Sequence, residues 1–277
     1  MQEIKQFNIS QKIKDYKITP RKSLGQNFIF DENILRKIVK IAGNLSNVHV
    51  LEIGSGPGGL TRAILEKEAK KVIAIEKDER FKPILTDLAF EFPEKLSILI
   101  TDALYKEIWE ITDAPLKIIA NLPYQISTVL LTKWLKQNIC KSKCKSLTLM
   151  FQKEVAKRIV ASPGTRLRSK LSLITELYTN TKIAFNVPAD CFIPTPKVDS
   201  SLVHFDVLRA PRYKFNAQKL NLIISLAFNQ KRKMLKSSLK KIYPDTKNVL
   251  NSVGIEETQR PESIELKKFC DLSLVIH

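Results

Sequence analysis

The chain has 277 residues, 44% of them hydrophobic, which is enough to bury one or two large cores. Its 46 Lys and Arg residues outnumber 28 Asp and Glu residues, and the net charge of +18 points to a polyanionic partner such as nucleic acid, with a merely lysine-rich surface as the alternative. Neither a membrane-spanning run nor an apolar signal segment is predicted, and scattered cysteines and histidines predict no disulfide framework and no metal site, so we expect a cytoplasmic protein.

The N-terminal segment, residues 1–23, is polar and basic. It predicts a loosely ordered arm, although a tail without a role explains the composition equally well. A helix is predicted to follow, with Asp31 as its N-cap. Its apolar residues recur at helical spacing and form one face, made of Ile34, Leu35, Ile38, Val39 and Ile41.

From residue 48 onward, short apolar runs alternate with helical stretches. The runs are VHVLEI, KVIAIE, LSILIT, PLKIIA and SLTLMF, and the helical stretches include 59–68, 79–91 and 126–137. This alternation is typical of an α/β fold with a parallel sheet covered on both faces. Two later runs, TKIAFNV and SLVHFDV, predict an antiparallel pair at the sheet edge.

After Pro211 the pattern changes to helices only, with one apolar face made of Leu220, Ile223, Ile224 and Ala227. We therefore expect a catalytic or binding domain over residues 24–207 and a small, basic, all-α domain over 208–277.

A glycine-rich loop, Gly54–Gly59, follows the first strand. Glycines allow a tight turn and let a ligand approach the backbone. Glu76 and Asp102 end the next two strands, where a carboxylate can accept hydrogen bonds from a ribose or an adenine amine. Taken alone, the glycines also fit a nicotinamide dinucleotide site. Glu52 completes the pattern E-x-G-x-G-x-G, which resembles the first motif of class I methyltransferases and suits a cationic sulfonium cofactor.

The fourth strand ends in Asn121-Leu122-Pro123-Tyr124, at the same sheet edge as the glycine loop. The Asn121 side-chain oxygen and the Leu122 carbonyl are candidate acceptors for the two hydrogens of an aromatic amine. Pro123 fixes the backbone, and Tyr124 can stack on a base. A plain helix-capping turn is the alternative.

A proline-stiffened loop, residues 189–200, carries Phe192, which could close the other face of a flipped base. A core aromatic under a proline turn explains Phe192 nearly as well.

A basic segment near the C-terminus contains Lys231, Arg232, Lys233 and Lys236, with no acid between residues 229 and 241. These cations are candidates for contacts with RNA phosphates, and a solvated helix face is the alternative.

Taken together, the motifs resemble the ribosomal RNA adenine dimethylase family, and its small-subunit (16S) branch most closely. The matching segments are SLGQNFI at residue 23, LEIGSGPGGLT, NLPYQIS, FQKEVAKRIVASPGT, FIPTPKVDS and AFNQKRKMLKSSL. The resemblance implies a class I methyltransferase sheet and S-adenosylmethionine as the cofactor. It also implies cofactor contacts from Asn27, Ile29, Gly54, Gly56, Glu76, Asp102 and Asn121, and an adenine held between Tyr124 and Phe192.

The implied reaction is N6-dimethylation of two adjacent adenosines in the 3'-terminal hairpin loop of 16S rRNA, within the small ribosomal subunit or its precursor. Leu122 and the basic segment favour this branch over the resistance methylases of large-subunit RNA. A non-catalytic RNA-binding relative is a further alternative. The sequence has no hydrophobic seam, which favours a monomer. Arg168-Ser169-Lys170 departs from the family pattern and leaves open whether this segment touches RNA.

Overall fold

A computed structural model describes residues 9–137, 139–229, 233–240 and 243–276. The chain divides into two compact units. The first contains the chain up to Ala156 together with Lys182–Val207, and the second contains Lys157–Thr181 together with the chain from Leu208 onward. The break at residue 207 lies where the sequence pattern changes. Residues 157–181, however, group with the C-terminal helices, whereas the sequence predicted that they belong to the 24–207 domain.

The first unit is built on a seven-stranded sheet. Its strands are β2 His49–Ile53, β3 Lys71–Glu76, β4 Leu96–Ile100, β5 Leu116–Ala120, β6 Cys144–Gln152, β7 Thr179–Val187 and β9 Ser200–Val207. They lie in the order β4-β3-β2-β5-β6-β9-β7. Strands β2 to β6 run parallel to one another, and β9 runs antiparallel to β6. A separate two-stranded ribbon pairs β1 Phe28–Ile29 with β8 Phe192–Ile193. The predicted α/β fold with an antiparallel addition at one edge is thus confirmed.

Helices cover this sheet because their apolar faces match its hydrophobic strands. They are α1 Ile9–Asp15, α2 Glu32–Ile41, α3 Gly59–Glu66, α4 Lys82–Glu91, α5 Tyr124–Lys136 and α6 Lys153–Ile159. Asp31 caps α2 as predicted, accepting hydrogen bonds from the Asn33 and Ile34 N–H groups at 2.8 and 3.3 Å.

The N-terminal residues from Ile9 onward differ from the loosely ordered arm expected from sequence. They form α1, and Ile9 and Ile18 are buried in the core of the first unit. The expectation followed the basic composition of the segment and gave no weight to these two apolar residues. Their burial supplies free energy that orders the segment.

The second unit is helical. Its helices are α7 Lys170–Tyr178, α8 Ala217–Asn229, α9 Leu235–Leu239, α10 Thr246–Ser252 and α11 Leu266–Val275. Leu173 and Leu177 of α7 share one hydrophobic cluster with the predicted face of α8 and with Phe269 of α11. This shared core explains why residues 157–181 group with the C-terminal helices. None of the described helices has the length and apolar character that crossing a bilayer requires.

Candidate active site

A pocket of about 950 Å³, counted out to its open mouth, lies at the carboxyl ends of β2, β3, β4 and β5. The carboxyl ends of parallel strands all lie at this edge of the sheet, which is where open α/β sheets bind ligands. The walls combine acidic, amide and apolar groups. Among the lining residues are Gln26, Asn27, Phe28, Gly54, Gly56, Glu76, Lys77, Asp102, Leu104, Asn121, Leu122, Pro123 and Tyr124.

Glu76 is buried at the end of β3 and is held by backbone groups. Its Oε2 accepts from the Gly56 N–H at 2.7 Å, and its Oε1 accepts from the Asp78 N–H at 2.8 Å. Burial raises the pKa of Glu76, and these hydrogen bonds oppose the rise. A carboxylate has about four lone-pair positions, more than these backbone donors occupy, so the group retains the capacity to accept from a ribose hydroxyl.

The glycine loop owes its shape to local backbone requirements. Gly54 and Gly56 have φ values of 73° and 51°, in the left-handed region that favours glycine. A Cβ on Gly56 would lie 2.8 Å from a ring carbon of Phe28, so the loop also needs glycine for space. The loop therefore lies directly against the N-terminal segment of the pocket wall.

Glu52 lies one residue before the end of β2, is 1% exposed and does not line the pocket. Burial raises its pKa to about 8, with a further rise from the nearby charge of Glu76. Its Oε2 makes no hydrogen bond with the described residues. Glu52 is therefore a buried carboxyl group that holds its proton at neutral pH.

Asp102 lines the pocket beyond β4, as predicted, and is held by two partners. Its Oδ1 accepts from the Leu104 N–H at 2.9 Å, and its Oδ2 lies 2.9 Å from the Lys77 ammonium. Burial alone would raise the pKa of Asp102, but Lys77 and the Leu104 N–H together lower it. The group is an ionised acceptor, suited to an adenine amine.

Asn121 follows β5, and its amide orientation is fixed by a hydrogen bond. Its Nδ2 donates to the Asn27 carbonyl at 2.9 Å. An amide whose nitrogen is engaged in this way presents Oδ1 as its acceptor. The predicted acceptor is thus held by the N-terminal segment that also lines the pocket.

Tyr124 begins α5 and also lines the pocket. Pro123 precedes it with φ −55° and ψ 127°, so the chain turns sharply from strand to helix. The Tyr124 hydroxyl forms a 2.5 Å hydrogen bond with the Ser200 Oγ. Burial raises the pKa of Tyr124, so the phenol stays neutral. The hydrogen bond to Ser200 holds the hydroxyl end of the ring in place.

Two predicted site residues lie outside the pocket. Ile29 is 5% exposed and Phe192 is fully buried, and both side chains pack in the hydrophobic core of the first unit. They face each other as cross-strand partners in the β1–β8 ribbon. In this conformation Phe192 does not form a second wall for a base. This burial matches the core-aromatic alternative, because an apolar ring gains free energy from burial. The base-stacking role of Phe192 stays a prediction.

The basic segment is described only in part. Lys231 and Arg232 lie outside the described residues, and Lys233 is exposed. Lys236, on α9, forms an ion pair with Glu257, which also lies 3.4 Å from Lys247. The segment itself contains no acid between residues 229 and 241, but Glu257 from another part of the chain neutralises Lys236.

The segment that departs from the family pattern is structural at Arg168. This side chain is 2% exposed; its Nη1 donates to the Ala161 carbonyl at 2.8 Å, and its Nη2 lies 2.7 Å from Glu176. Ser169 forms a capping box with Ser172 at the start of α7. Arg168 therefore closes the loop that precedes α7, and its guanidinium is engaged within the protein.

Sequence reasoning missed several pocket residues, chiefly Gln26, Phe28, Lys77 and Leu104. Each lies within two residues of a predicted site residue, so the motifs contained a usable signal. Gln26 accepts from the Arg21 N–H and donates to Asp78, which helps to hold the N-terminal segment over β3.

No thiol nucleophile is placed at the pocket. Burial raises the pKa of Cys144 and of Cys270 to about 12, and no cysteine lines the pocket. Among the described residues, no cluster of His, Cys, Asp and Glu has the size and spacing to hold a metal ion.

Comparison with known proteins shows the family to which the chain belongs. Residues 18–277 match the family model for ribosomal RNA adenine dimethylase. The chain belongs to the ribosomal RNA adenine dimethylase family. It is 46% identical over 261 residues to ribosomal RNA small subunit methyltransferase A of Cereibacter sphaeroides, with 94% of each chain covered. Family membership confirms an rRNA adenine dimethyltransferase and removes the dinucleotide interpretation of the glycine loop.

Solved structures agree with this assignment. A dimethyladenosine transferase from Plasmodium falciparum superimposes with a TM-score of 0.78 at 27% identity, covering 89% of this chain and 96% of that one. The 23S rRNA methyltransferase ErmE superimposes with a TM-score of 0.68 at 22% identity, covering 90% and 98%, and shows the shared fold.

The family uses S-adenosylmethionine, and the residues present fit it. Glu76 retains acceptor capacity that would suit a ribose, Asp102 is an ionised acceptor that would suit an adenine amine, and the apolar residues Phe28 and Leu104 also line the pocket. Two carboxylates in one pocket also suit a ligand that carries a positive charge.

Proposed function

We propose that the enzyme dimethylates two adjacent adenosines in the loop of the 3'-terminal hairpin of 16S rRNA, within the small ribosomal subunit or its precursor. The choice of RNA is supported by the 46% identical relative, whose name specifies the small subunit. The chemistry is carried by one observation, the hydrogen bond from Asn121 Nδ2 to the Asn27 carbonyl, which leaves Oδ1 as an acceptor in the pocket.

An adenine amine is a weak nucleophile because its lone pair is delocalised into the ring. When bound, S-adenosylmethionine supplies a methyl group made electrophilic by its sulfonium centre. We assign Asn121 Oδ1 and the Leu122 carbonyl to accept the two amine hydrogens, which localises the lone pair and aims it. Pro123 fixes the turn that carries both acceptors, and the excess proton leaves to water after transfer.

We assign Tyr124 to stack on the target base, a contact worth about 1–3 kcal/mol per base. Its ring lies in the pocket wall and its hydroxyl is tethered, so the ring needs little reordering when a base arrives. After the first transfer, rotation about the C6–N6 bond brings the remaining hydrogen to either acceptor. The same pocket can then support a second transfer.

We propose that Lys231, Arg232 and Lys233 contact RNA phosphates, with a smaller contribution from Lys236, whose charge is paired. A second basic surface lies on α6, where Lys157 and Arg158 are exposed and form no ion pair with the described residues. Clustered, unpaired cations of this kind are suited to a phosphate backbone.

We further propose a cytoplasmic monomer. The four free cysteines fit a reducing compartment. Light scattering at micromolar concentration should give the mass of one chain, and a stable dimer would contradict this part of the proposal.

The activity is tested with tritiated S-adenosylmethionine and purified small subunits whose 16S rRNA lacks the modification. We expect label in 16S rRNA at two adjacent adenosines, located by primer extension. Subunits that already carry the modification serve as the matched control and should take up no label.

Two other results would each contradict the proposal. Label in large-subunit RNA would indicate the resistance-methylase activity. Cofactor binding by calorimetry without label in either subunit would indicate a non-catalytic RNA-binding relative.

A further inference from the structure

Ser200 is the first residue of β9, and it lies where the proline-rich loop meets the sheet. Its side chain is fully buried, and its Oγ is 2.5 Å from the Tyr124 hydroxyl. We propose that Ser200 is a positioning residue for the methylation reaction. It anchors the Tyr124 ring in the orientation that receives the target adenine.

Ser200 can serve as an anchor because the residue before it is itself held firmly. The Asp199 carbonyl accepts from the Lys153 N–H at 2.9 Å. Its carboxylate accepts from the Ala189 N–H at 3.3 Å and from Lys153 Nζ at 3.2 Å. The tyrosine is therefore tied to a part of the chain that is fixed at both ends of the loop.

The same loop, residues 189–200, also pairs with a second part of the pocket lining. Phe192 and Ile193 pair with Ile29 and Phe28 in the β1–β8 ribbon, and Asn27, just before β1, orients Asn121. One stretch of chain thus fixes the stacking ring through Ser200 and supports the acceptor amide through β1. This gives the segment a physical role although Phe192 itself does not face the pocket.

The orientation of the Tyr124 ring matters most for the second methyl transfer. A monomethylated amine has one hydrogen left and a bulkier substituent, so the base must be held more strictly for that hydrogen to reach an acceptor. Loss of the Ser200 hydrogen bond should slow the second transfer more than the first. This inference rests on the proposed function, because it assigns Tyr124 to stacking on the target base.

The test compares Ser200→Ala with Ser201→Ala in the full-length enzyme. Ser201 is the matched control because it is equally buried on the same strand, and its Oγ donates to Asn186 Oδ1 at 2.7 Å instead. Single-turnover rates and the ratio of monomethyl to dimethyl adenosine are measured on unmodified small subunits. Loss of one hydrogen bond corresponds to about a 3- to 10-fold slower rate.

We expect Ser200→Ala to slow the second transfer by that factor and to accumulate monomethyl adenosine. Its S-adenosylmethionine affinity and melting temperature should match those of Ser201→Ala, which should keep the wild-type product ratio. Ser200→Thr should restore the wild-type ratio because it retains the hydroxyl.

A double-mutant cycle with Tyr124→Phe separates positioning from general packing. Tyr124→Phe keeps the ring and removes the hydroxyl, so it should resemble Ser200→Ala, and the double variant should be no slower than either single variant. Additive losses in the double variant, or equal product ratios for Ser200→Ala and Ser201→Ala, would overturn the proposal. A wild-type enzyme inactive on 16S rRNA would overturn both this inference and the proposed function, whereas an active wild type with an unaffected Ser200→Ala variant would overturn this inference alone.

Discussion

The pocket of the first unit and the basic segment around α9 in the second unit both carry charged residues that the sequence singles out, but they differ in what positions those residues. Glu76 and Asp102 end strands whose mutual positions are set by sheet hydrogen bonds. Lys236 lies on a helix of five residues and pairs with Glu257, 21 residues away. The position and pairing of a charged side chain are therefore predictable where regular secondary structure fixes them. They are less predictable where a residue distant in the sequence forms an ion pair with it.

The largest effect of a substitution is expected at Asn121. If the pocket is organised to orient the amine, Asn121→Ala should lower turnover on the order of 100-fold, as for other preorganised hydrogen-bonding groups. RNA affinity should change little, because orientation matters chiefly at the transition state. Steady-state and single-turnover assays measure this, with Asn33→Ala, an exposed asparagine of α2, as the control. A near-native single-turnover rate would remove Asn121 from the mechanism.

The next largest effect tests the buried acid behind the glycine loop. The folded protein holds a proton on Glu52 up to about pH 8, whereas the unfolded chain releases it near 4.5. The free energy of unfolding should therefore fall as pH rises through this window. Glu52→Gln should remove about 2 kcal/mol of the decrease between pH 5.5 and 7.5. Urea unfolding at several pH values measures it, and Glu79→Gln, an exposed glutamate, should behave as wild type.

Glu76 tests whether a strand-end carboxylate binds the cofactor. Removal of one charge-assisted hydrogen-bonding group costs about 1.5–3 kcal/mol, so Glu76→Ala should weaken S-adenosylmethionine binding at least about tenfold. Glu76→Gln keeps one acceptor oxygen and should lose less. Calorimetry measures the affinity, and circular dichroism shows whether the variants fold. Unchanged affinity in a folded Glu76→Ala variant would place the ribose elsewhere.

The smallest expected effects concern the salt dependence of RNA binding by the basic segment. Lys233→Gln should reduce the salt dependence of RNA binding by about 0.7–0.9 in the slope of log K against log salt, as expected for one lost phosphate contact. Lys236→Gln should reduce it less, because Glu257 already neutralises that charge. Fluorescence anisotropy from 50 to 200 mM salt measures the slopes. If only Lys157→Gln and Arg158→Gln flatten the slope, the RNA surface lies on α6.

Much of the fold follows from the sequence because parallel strands have a strong local signature. The runs that form β2 to β6 are continuous and apolar, and each ends in a polar or glycine residue at the same sheet edge. That regularity also predicts the pocket positions of Gly54, Glu76, Asp102 and Asn121.

At other positions the environment of a side chain depends on which neighbour it finds in the folded chain. Phe192 and Ile29 are apolar residues inside functional-looking motifs, and the β1–β8 pairing buries them together. Arg168 is a cation in a loop that resembles a nucleic-acid contact, and Glu176 with the Ala161 carbonyl buries it. No local pattern distinguishes these outcomes from exposure.

By itself, the sequence determined the sheet, the helical second unit, the glycine loop and the set of polar strand ends, because periodicity and backbone requirements are local properties. Only the tertiary structure decided which atoms act together. In it, the Asn27 carbonyl orients the Asn121 amide by a hydrogen bond, the Tyr124 hydroxyl hydrogen-bonds to Ser200, and Lys236 forms an ion pair with Glu257. Those contacts join residues that are 21 to 94 positions apart, and their geometry exists only once the strands and loops between them have packed.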